Sequence, residues 1–140
     1  MQRMYRYSES EHDFIMIDGR NVEIPRFRRR SDVHTLCLLH GADGIAILNE
    51  PAAGTGADFC LEFFAADGSK TIPPKSVQAC SVAFADLLGI LPFHSQNYKF
   101  SDESGVHDAM IMSHLGECKV VKIDKNKEPA SALCLGELEI

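Results

Sequence analysis

The sequence predicts an α+β fold in which a mixed or antiparallel sheet wraps around a central buried helix. Strand-like apolar runs occupy most of the chain. Residues 75–88 repeat apolar side chains at helical spacing and carry only two charges, Lys75 and Asp86. Two strand-like runs joined by Leu115-Gly116 indicate a hairpin. Because a helix with so little charge is a poor surface helix, we expect the strands to bury it.

Eight segments predict strands, because each is a short apolar or alternating run bounded by turn residues. They are Arg3–Tyr7, Asp13–Ile17, Gly44–Leu48, Ala57–Ala65, Asn97–Ser101, Val106–His114, Glu117–Ile123 and Ala132–Ile140. No Pro- or Gly-rich linker divides the 140 residues. The sequence therefore predicts one domain over residues 1–140.

A first helix is predicted from about Asp32 to Leu39. Ser31 or Asp32 offers a side-chain oxygen that caps its first turn, and Gly41 suits the left-handed residue after its end.

The second helix is predicted from about Lys75 to Leu88. Its apolar stripe is formed by Val77, Cys80, Phe84 and Leu87. Pro73 or Pro74 suits the first turn, where a missing N–H costs no helical hydrogen bond, and Gly89 ends the helix.

Composition and charge exclude several function classes. The apolar fraction is 45%, the charged fraction is 24% and the net charge is −6. An acidic chain is a poor ligand for nucleic acid or for an anionic membrane surface, so neither is expected as a partner. No export signal or 18-residue apolar stretch is present. The five widely spaced cysteines then indicate reduced thiols and a cytoplasmic protein.

Several short motifs occur in the same order as in a known protein family. They are Asp13-Phe14, Gly41-Ala42-Asp43-Gly44, FFAADGS over residues 63–69, CSVAFADLLGI over residues 80–90 and FSDESGV over residues 100–106. This ordered set resembles the N-terminal half of the diaminopimelate epimerase family, which comprises cofactor-independent amino-acid racemases. The resemblance implies a single diaminopimelate-epimerase-like half that needs no cofactor.

The same resemblance implies where the catalytic groups would stand. The family uses two cysteines, one from each of two similar halves, and the first lies at the start of the buried helix. That cysteine corresponds to Pro74, the Gly-Asn pair after it corresponds to Lys75-Ser76, and a structural cysteine corresponds to Cys80. A positioned acid or base contributes about 100- to 10,000-fold in rate. We therefore assign no catalytic residue and expect epimerase activity to be absent.

Three residues are candidates for binding: His12, Lys75 and Ser76. His12 corresponds to a substrate-binding asparagine of the family, and histidine is the side chain that titrates near neutrality. The alternative is a solvated loop histidine. Lys75 and Ser76 open a helix whose N–H groups favour a small carboxylate or another anion. The alternative is that Pro73-Pro74 and these two residues only cap the helix.

The remaining cysteines and histidines predict no metal site. Cys37 and His40 have a C-x-x-H spacing, but a zinc site needs four ligands and no second cluster follows. Cys80 lies on the apolar stripe and is expected to be a buried structural thiol. His107 and His114 are expected to be ordinary strand residues on opposite faces of the sheet.

Three functions remain open. The first is a catalytically inactive half-domain with a binding or structural role as a homodimer, in which two copies replace the two halves. The second is a cofactor-independent amino-acid racemase or epimerase that uses substitute residues or a separate partner half. The third is a small module that binds a carboxylate or phosphate at Lys75-Ser76.

Overall fold

The computed structural model describes residues 3–20, 28–91, 96–124 and 127–138. Two helices are present, α1 (Arg30–His40) and α2 (Lys75–Leu88). The strands are β1 (Met4–Glu9), β2 (His12–Asp18), β3 (Gly44–Asn49), β4 (Phe59–Ala65), β5 (Lys70–Thr71), β6 (Asn97–Asp102), β7 (Gly105–Leu115), β8 (Cys118–Ile123) and β9 (Ala130–Glu137). No helix in the described ranges is long and apolar enough to cross a membrane.

Eight of these strands close into a barrel. Their order is β3, β2, β1, β9, β8, β7, β6 and β4, and β3 pairs with β4 to complete the ring. Neighbours run antiparallel except for β2 with β3 and β4 with β6. The two-residue β5 is added alongside β4. The mixed, mainly antiparallel sheet predicted from the sequence is confirmed, and closure pairs the strand edges that an open sheet would expose.

Helix α2 is buried along most of its length. It packs against β1, β2, β3, β4, β7, β8 and β9. Residues 77–85 are all buried, and the Phe84 ring lies 5.6 Å from the Tyr5 ring and 5.9 Å from the Tyr7 ring. The many alanines of this helix let the strands approach it closely. The prediction that Leu87 belongs to the buried apolar stripe is wrong. Leu87 lies in the last turn of α2 and is 39% exposed.

A second, smaller core lies under α1. Val33, Leu36 and Cys37 pack against outward-facing side chains of β2 and β3, including Ile15 and Ile45. This explains why β2 and β3 read as continuous apolar runs: one face of each contacts the α2 core and the other contacts α1.

The helix ends test the capping predictions. α2 has the predicted limits, and Gly41 (φ 61°) and Gly89 (φ 72°) are the left-handed residues after the two helices, as predicted. The capping role predicted for Ser31 or Asp32 is wrong. α1 begins two residues before the predicted Asp32, at Arg30, so both side chains lie within its first turn and neither caps it.

All eight predicted strands are present, and the ends of the first seven shift by at most two residues. The predicted hairpin is confirmed, since Leu115 of β7 lies opposite Cys118 of β8. The last strand begins at Ala130 and ends at Glu137, and residues 139 and 140 of its predicted range lie outside the described residues. β5 was not predicted, because two residues carry no periodicity.

Candidate functional site

The first turn of α2 lies at one end of the barrel, called here the helix-start end. The side-chain amide of Gln78 in this turn donates to Asp102, the last residue of β6. β4 runs parallel to β6, and its last residue, Ala65, pairs with Gly44 at the start of β3. β2 begins beside β3, so His12 belongs to the same end. The topology therefore gathers His12, Pro74, Lys75 and Ser76 at one end of the barrel.

Pro74 occupies the residue just before α2 rather than its first turn. Its backbone is extended (φ −70°, ψ 165°), and its carbonyl accepts the first helical hydrogen bond from the N–H of Gln78 at 3.0 Å. No side chain caps this helix end. Pro74 is exposed, whereas Lys75 and Ser76 are half-buried. A proline at this position supplies neither an N–H donor nor an ionisable group.

His12 is solvent-exposed and lies beside a carboxylate. Its side chain is 62% exposed, and its Nδ1 is 3.6 Å from Oδ2 of Asp43. Its ring stacks loosely on Phe14, with 6.4 Å between ring centroids. Among the described residues, no hydrogen bond, ion pair or ring contact joins His12 to Lys75 or Ser76. The three predicted binding residues therefore share an end of the barrel without forming a contacting cluster.

The buried thiols are poor proton acceptors. Cys80 is 0% exposed, and burial, reinforced by the charges of Glu9 and Asp13, raises the pKa of its thiol far above the ordinary value. Burial and then Asp43 raise the pKa of Cys37 to about 11. Because the thiolate is the form that accepts a proton, neither group is a ready base near neutral pH. The burial predicted for Cys80 is confirmed.

Asp43 of the Gly-Ala-Asp-Gly segment fixes the backbone around the site. Its Oδ2 accepts the N–H of Asp13 at 2.9 Å, and its own N–H donates to the carbonyl of Asp13 at 2.7 Å. Arg6 donates to the Asp13 carboxylate at 2.7 Å and to the His40 carbonyl. These bonds join the β1–β2 turn to the turn between α1 and β3. This role for Arg6 was not predicted from the sequence.

A second polar cluster at this end was not predicted. It consists of Gln78, Asp102, Ser104, His107 and Asp124. His107 is half-buried and His114 is exposed, but the bulge between Ile111 and Ser113 interrupts the alternation of β7, so the predicted opposite faces do not follow from their spacing of seven. His107 is nevertheless not an ordinary strand residue, since each ring nitrogen contacts a carboxylate. Its carboxylate partners Asp102 and Asp124 are 22 positions apart, with β7 and β8 between them, so spacing gave no signal.

A cavity of about 510 Å³ lies beside the site, between α1 and the end of β4. Its lining includes His34, Cys37, Asp43 and Asp67. Two cavities of about 280 Å³ lie elsewhere, one outside β6, β7 and β8 and one near the end of α2. None of these three is lined by His12, Lys75 or Ser76. The described residues contain no group of three or more His, Cys, Asp or Glu side chains arranged to hold a metal ion.

Comparison with known proteins agrees with this architecture. No protein-family model matches the chain. Diaminopimelate epimerase from Flavobacterium psychrophilum is 30% identical over 112 residues, which cover 78% of this chain and 41% of the relative. This chain therefore spans about two fifths of the length of the relative that it matches.

Solved structures show the same fold at lower identity. A Bacillus anthracis phenazine biosynthesis protein of the PhzF family matches 88% of this chain with a TM-score of 0.64 and 10% identity. A probable proline racemase from Agrobacterium radiobacter matches 88% with a TM-score of 0.62 and 14% identity. Methylitaconate-delta-isomerase matches 96% with a TM-score of 0.61 and 15% identity. The matched regions cover 40%, 41% and 41% of these three chains.

The barrel with its two helices is thus the fold shared by this class of epimerases, racemases and isomerases. Within that class, the chain resembles diaminopimelate epimerase, as the ordered motifs of the sequence predict.

Proposed function

We propose that this chain is a catalytically inactive half of the epimerase fold, with a binding or structural role as a cytoplasmic homodimer. In this proposal residues 1–140 form one domain whose strands enclose α2 as its central helix. The observation that carries it is Pro74, which precedes α2 where the resemblance calls for a reactive cysteine. The five unpaired cysteines agree with a reducing compartment.

The chemistry supports inactivity. Racemisation at an amino-acid Cα needs a base on one face of the carbon and an acid on the other. Cys80, in the second turn of α2, is inaccessible and held in its neutral form, so it does not replace the missing thiol. Without an acid and a base at the site, we expect the rate enhancement of both to be lost together.

The test is exchange of the substrate Cα hydrogen in heavy water, followed by mass spectrometry. Diaminopimelate, proline and the common amino acids form the panel, and an active diaminopimelate epimerase is the positive control. We expect no exchange above the protein-free rate. Enzyme-dependent exchange of any panel member would overturn the proposed inactivity.

The homodimer has a separate argument and a separate test. Since the chain spans about two fifths of its relatives, two copies related by a two-fold axis would supply two barrels. Sedimentation velocity over a wide concentration range is expected to show a dimer. A monomer at the highest concentration would remove the dimer and leave the inactivity untouched.

The alternative is a cofactor-independent isomerase that works through substitute residues or a partner half. The observation in its favour is His12, an exposed imidazole beside Asp43 at the helix-start end. This alternative predicts Cα exchange that His12→Gln abolishes. The matched control is His114→Gln, at an exposed position of β7, which should leave the exchange unchanged.

A third candidate is binding of a small carboxylate or phosphate at Lys75 and Ser76. It is favoured by the start of α2, where no side chain caps the N–H groups. Phosphate and acetate are then expected to raise the melting temperature, and Lys75→Ala should remove the shift. The control is Lys127→Ala at an exposed loop position. Equal shifts in both variants would argue against this site.

A further inference from the structure

The β6–β7 hairpin contains a histidine held between two carboxylates. Nδ1 of His107 is 3.1 Å from Oδ2 of Asp124, and Nε2 is 3.3 Å from Oδ1 of Asp102. The His107 side chain is 17% exposed, and its ring stacks on Phe100 with 5.2 Å between centroids. Both nitrogens are therefore fixed in direction by the packing of the ring.

The hydrogen-bond donors at this site determine the charge of the ring. An ionised carboxylate only accepts hydrogen bonds, so both contacts are attractive only when each ring nitrogen carries a proton. A neutral ring would point one lone pair at a carboxylate oxygen. The arrangement of Asp102 and Asp124 thus fits an imidazolium.

Asp102 also accepts hydrogen bonds from two other residues. Its side chain is 0% exposed, and it accepts Nε2 of Gln78 at 2.9 Å and the N–H of Ser104 at 2.8 Å. Burial raises the pKa of Asp102, but the hydrogen bonds from Ser104 and Gln78 outweigh it, so the pKa lies below its ordinary value.

Ser104 completes the same network. Its hydroxyl donates to Oδ1 of Asp102 at 2.5 Å and lies 2.8 Å from Nε2 of His107. Since the hydroxyl proton points at Asp102, the serine oxygen accepts from the ring. This direction is opposite to that of a serine nucleophile, whose proton must pass to the histidine.

We propose that Asp102, His107 and Asp124 form a proton-controlled clamp that holds the β6–β7 hairpin against the first turn of α2. The clamp is closed while His107 is protonated. When the ring loses a proton, one carboxylate contact becomes repulsive, and the bond between Asp102 and Gln78 loses its support. The helix-start end of the barrel then loosens as the pH rises.

The other charged groups around the His107 ring are consistent with a clamp that loosens as the pH rises. On β7, the N–H of Asp108 donates to Asp124, and the Asp108 carboxylate is 4.0 Å from Lys99 of β6. In the turn, Glu103 pairs with Lys70 of β5 at 3.5 Å. α2 contributes the neutral Gln78. The two groups that touch the ring nitrogens are both carboxylates.

Amide hydrogen exchange of the intact chain tests the clamp. We compare the Ser104 and Asp108 amides at about pH 5.5 and about pH 8, which bracket histidine titration, after correction for intrinsic exchange. Their protection is expected to fall about tenfold over this range, the size expected for loss of a charged hydrogen bond. In His107→Gln the protection should not depend on pH. His114→Gln, at an exposed position of the same strand, should behave like the wild type.

A measurement on the unmodified chain covers the case in which His107→Gln fails to fold. The ¹⁵N shifts of the His107 ring should show two protonated nitrogens at the lower pH. A ring that is neutral throughout would overturn the clamp, and so would wild-type protection that does not change with pH.

Discussion

At the scale of single residues, Pro74 determines most of the chemistry available at the helix-start end. It ends the extended segment before α2 and starts the helix with a fixed φ. Pro74 also excludes a thiol from that position. The identity of this single residue therefore decides whether the start of α2 carries a reactive group.

Restoring the thiol tests this interpretation. In Pro74→Cys, the N–H groups and partial positive charge of α2 should lower the pKa of the introduced thiol below the ordinary value of about 8.5. The pH dependence of alkylation by iodoacetamide, resolved by peptide mass spectrometry, measures this pKa.

Cys80 is the internal control for that experiment, since a thiol with 0% exposure should stay unmodified in the folded chain. An introduced thiol that titrates at or above about 8.5 would show that this helix start does not stabilise an anion. That result would also count against anion binding at Lys75 and Ser76.

The sequence predicted single residues well where neighbours along the chain decide their role. Gly41, Gly89 and the burial of Cys80 are of this kind. It failed where distant groups decide: the carboxylate partners of His107 lie at the end of β6 and just after β8. Capping by Ser31 or Asp32 was prevented by a helix that began earlier. The sequence named His12, Lys75 and Ser76 as candidates, but their shared end of the barrel and the lack of contact between them depend on the closed sheet.

At the scale of elements, α2 is the best-predicted part of the chain. Pro74 before it and Gly89 after it fix its ends, and its apolar spacing fixes its type. Its neighbours could not be predicted, because strand order depends on pairings such as β3 with β4 and β1 with β9 that leave no local pattern.

Truncating Phe84 tests how much α2 contributes to stability. Phe84 is fully buried against Tyr5 and Tyr7, so Phe84→Ala should lower the free energy of unfolding by about 3–5 kcal/mol. Urea unfolding followed by circular dichroism measures the loss.

Leu87→Ala is the matched control on the same helix. Leu87 is 39% exposed, so its truncation should cost about 1 kcal/mol or less. Equal costs for the two variants would mean that the Phe84 side of α2 is not the packed side.

At the scale of the whole molecule, buried thiols and phenols make stability depend on alkaline pH. Burial raises the pKa of Cys37 to about 11 and also raises the pKa values of Cys80 and Tyr7. These groups bind protons more tightly when folded. Their contribution is therefore complete below the unfolded pKa and is lost as pH rises toward the folded one.

We expect the free energy of unfolding to fall above about pH 9, by about 1.4 kcal/mol per pH unit for each such group. Urea unfolding at several alkaline pH values measures the slope. Cys37→Ala should make the slope shallower between about pH 9 and about pH 11, whereas Ser131→Ala at an exposed position of β9 should not. A slope that Cys37→Ala leaves unchanged would contradict this assignment.

The pairing of β1 with β9 also governs the order in which the chain folds. Tyr5 of β1 lies opposite Glu137 of β9, so β1 finds its second neighbour only when the much later β9 is complete. Until then, β8 also lacks a partner on one side, and α2 lacks one of the strands that bury it. Long-range strand pairings of this kind slow folding, because a large loop must close before the contact stabilises it. The barrel should therefore close in one late step, and a chain truncated before β9 should remain sensitive to protease.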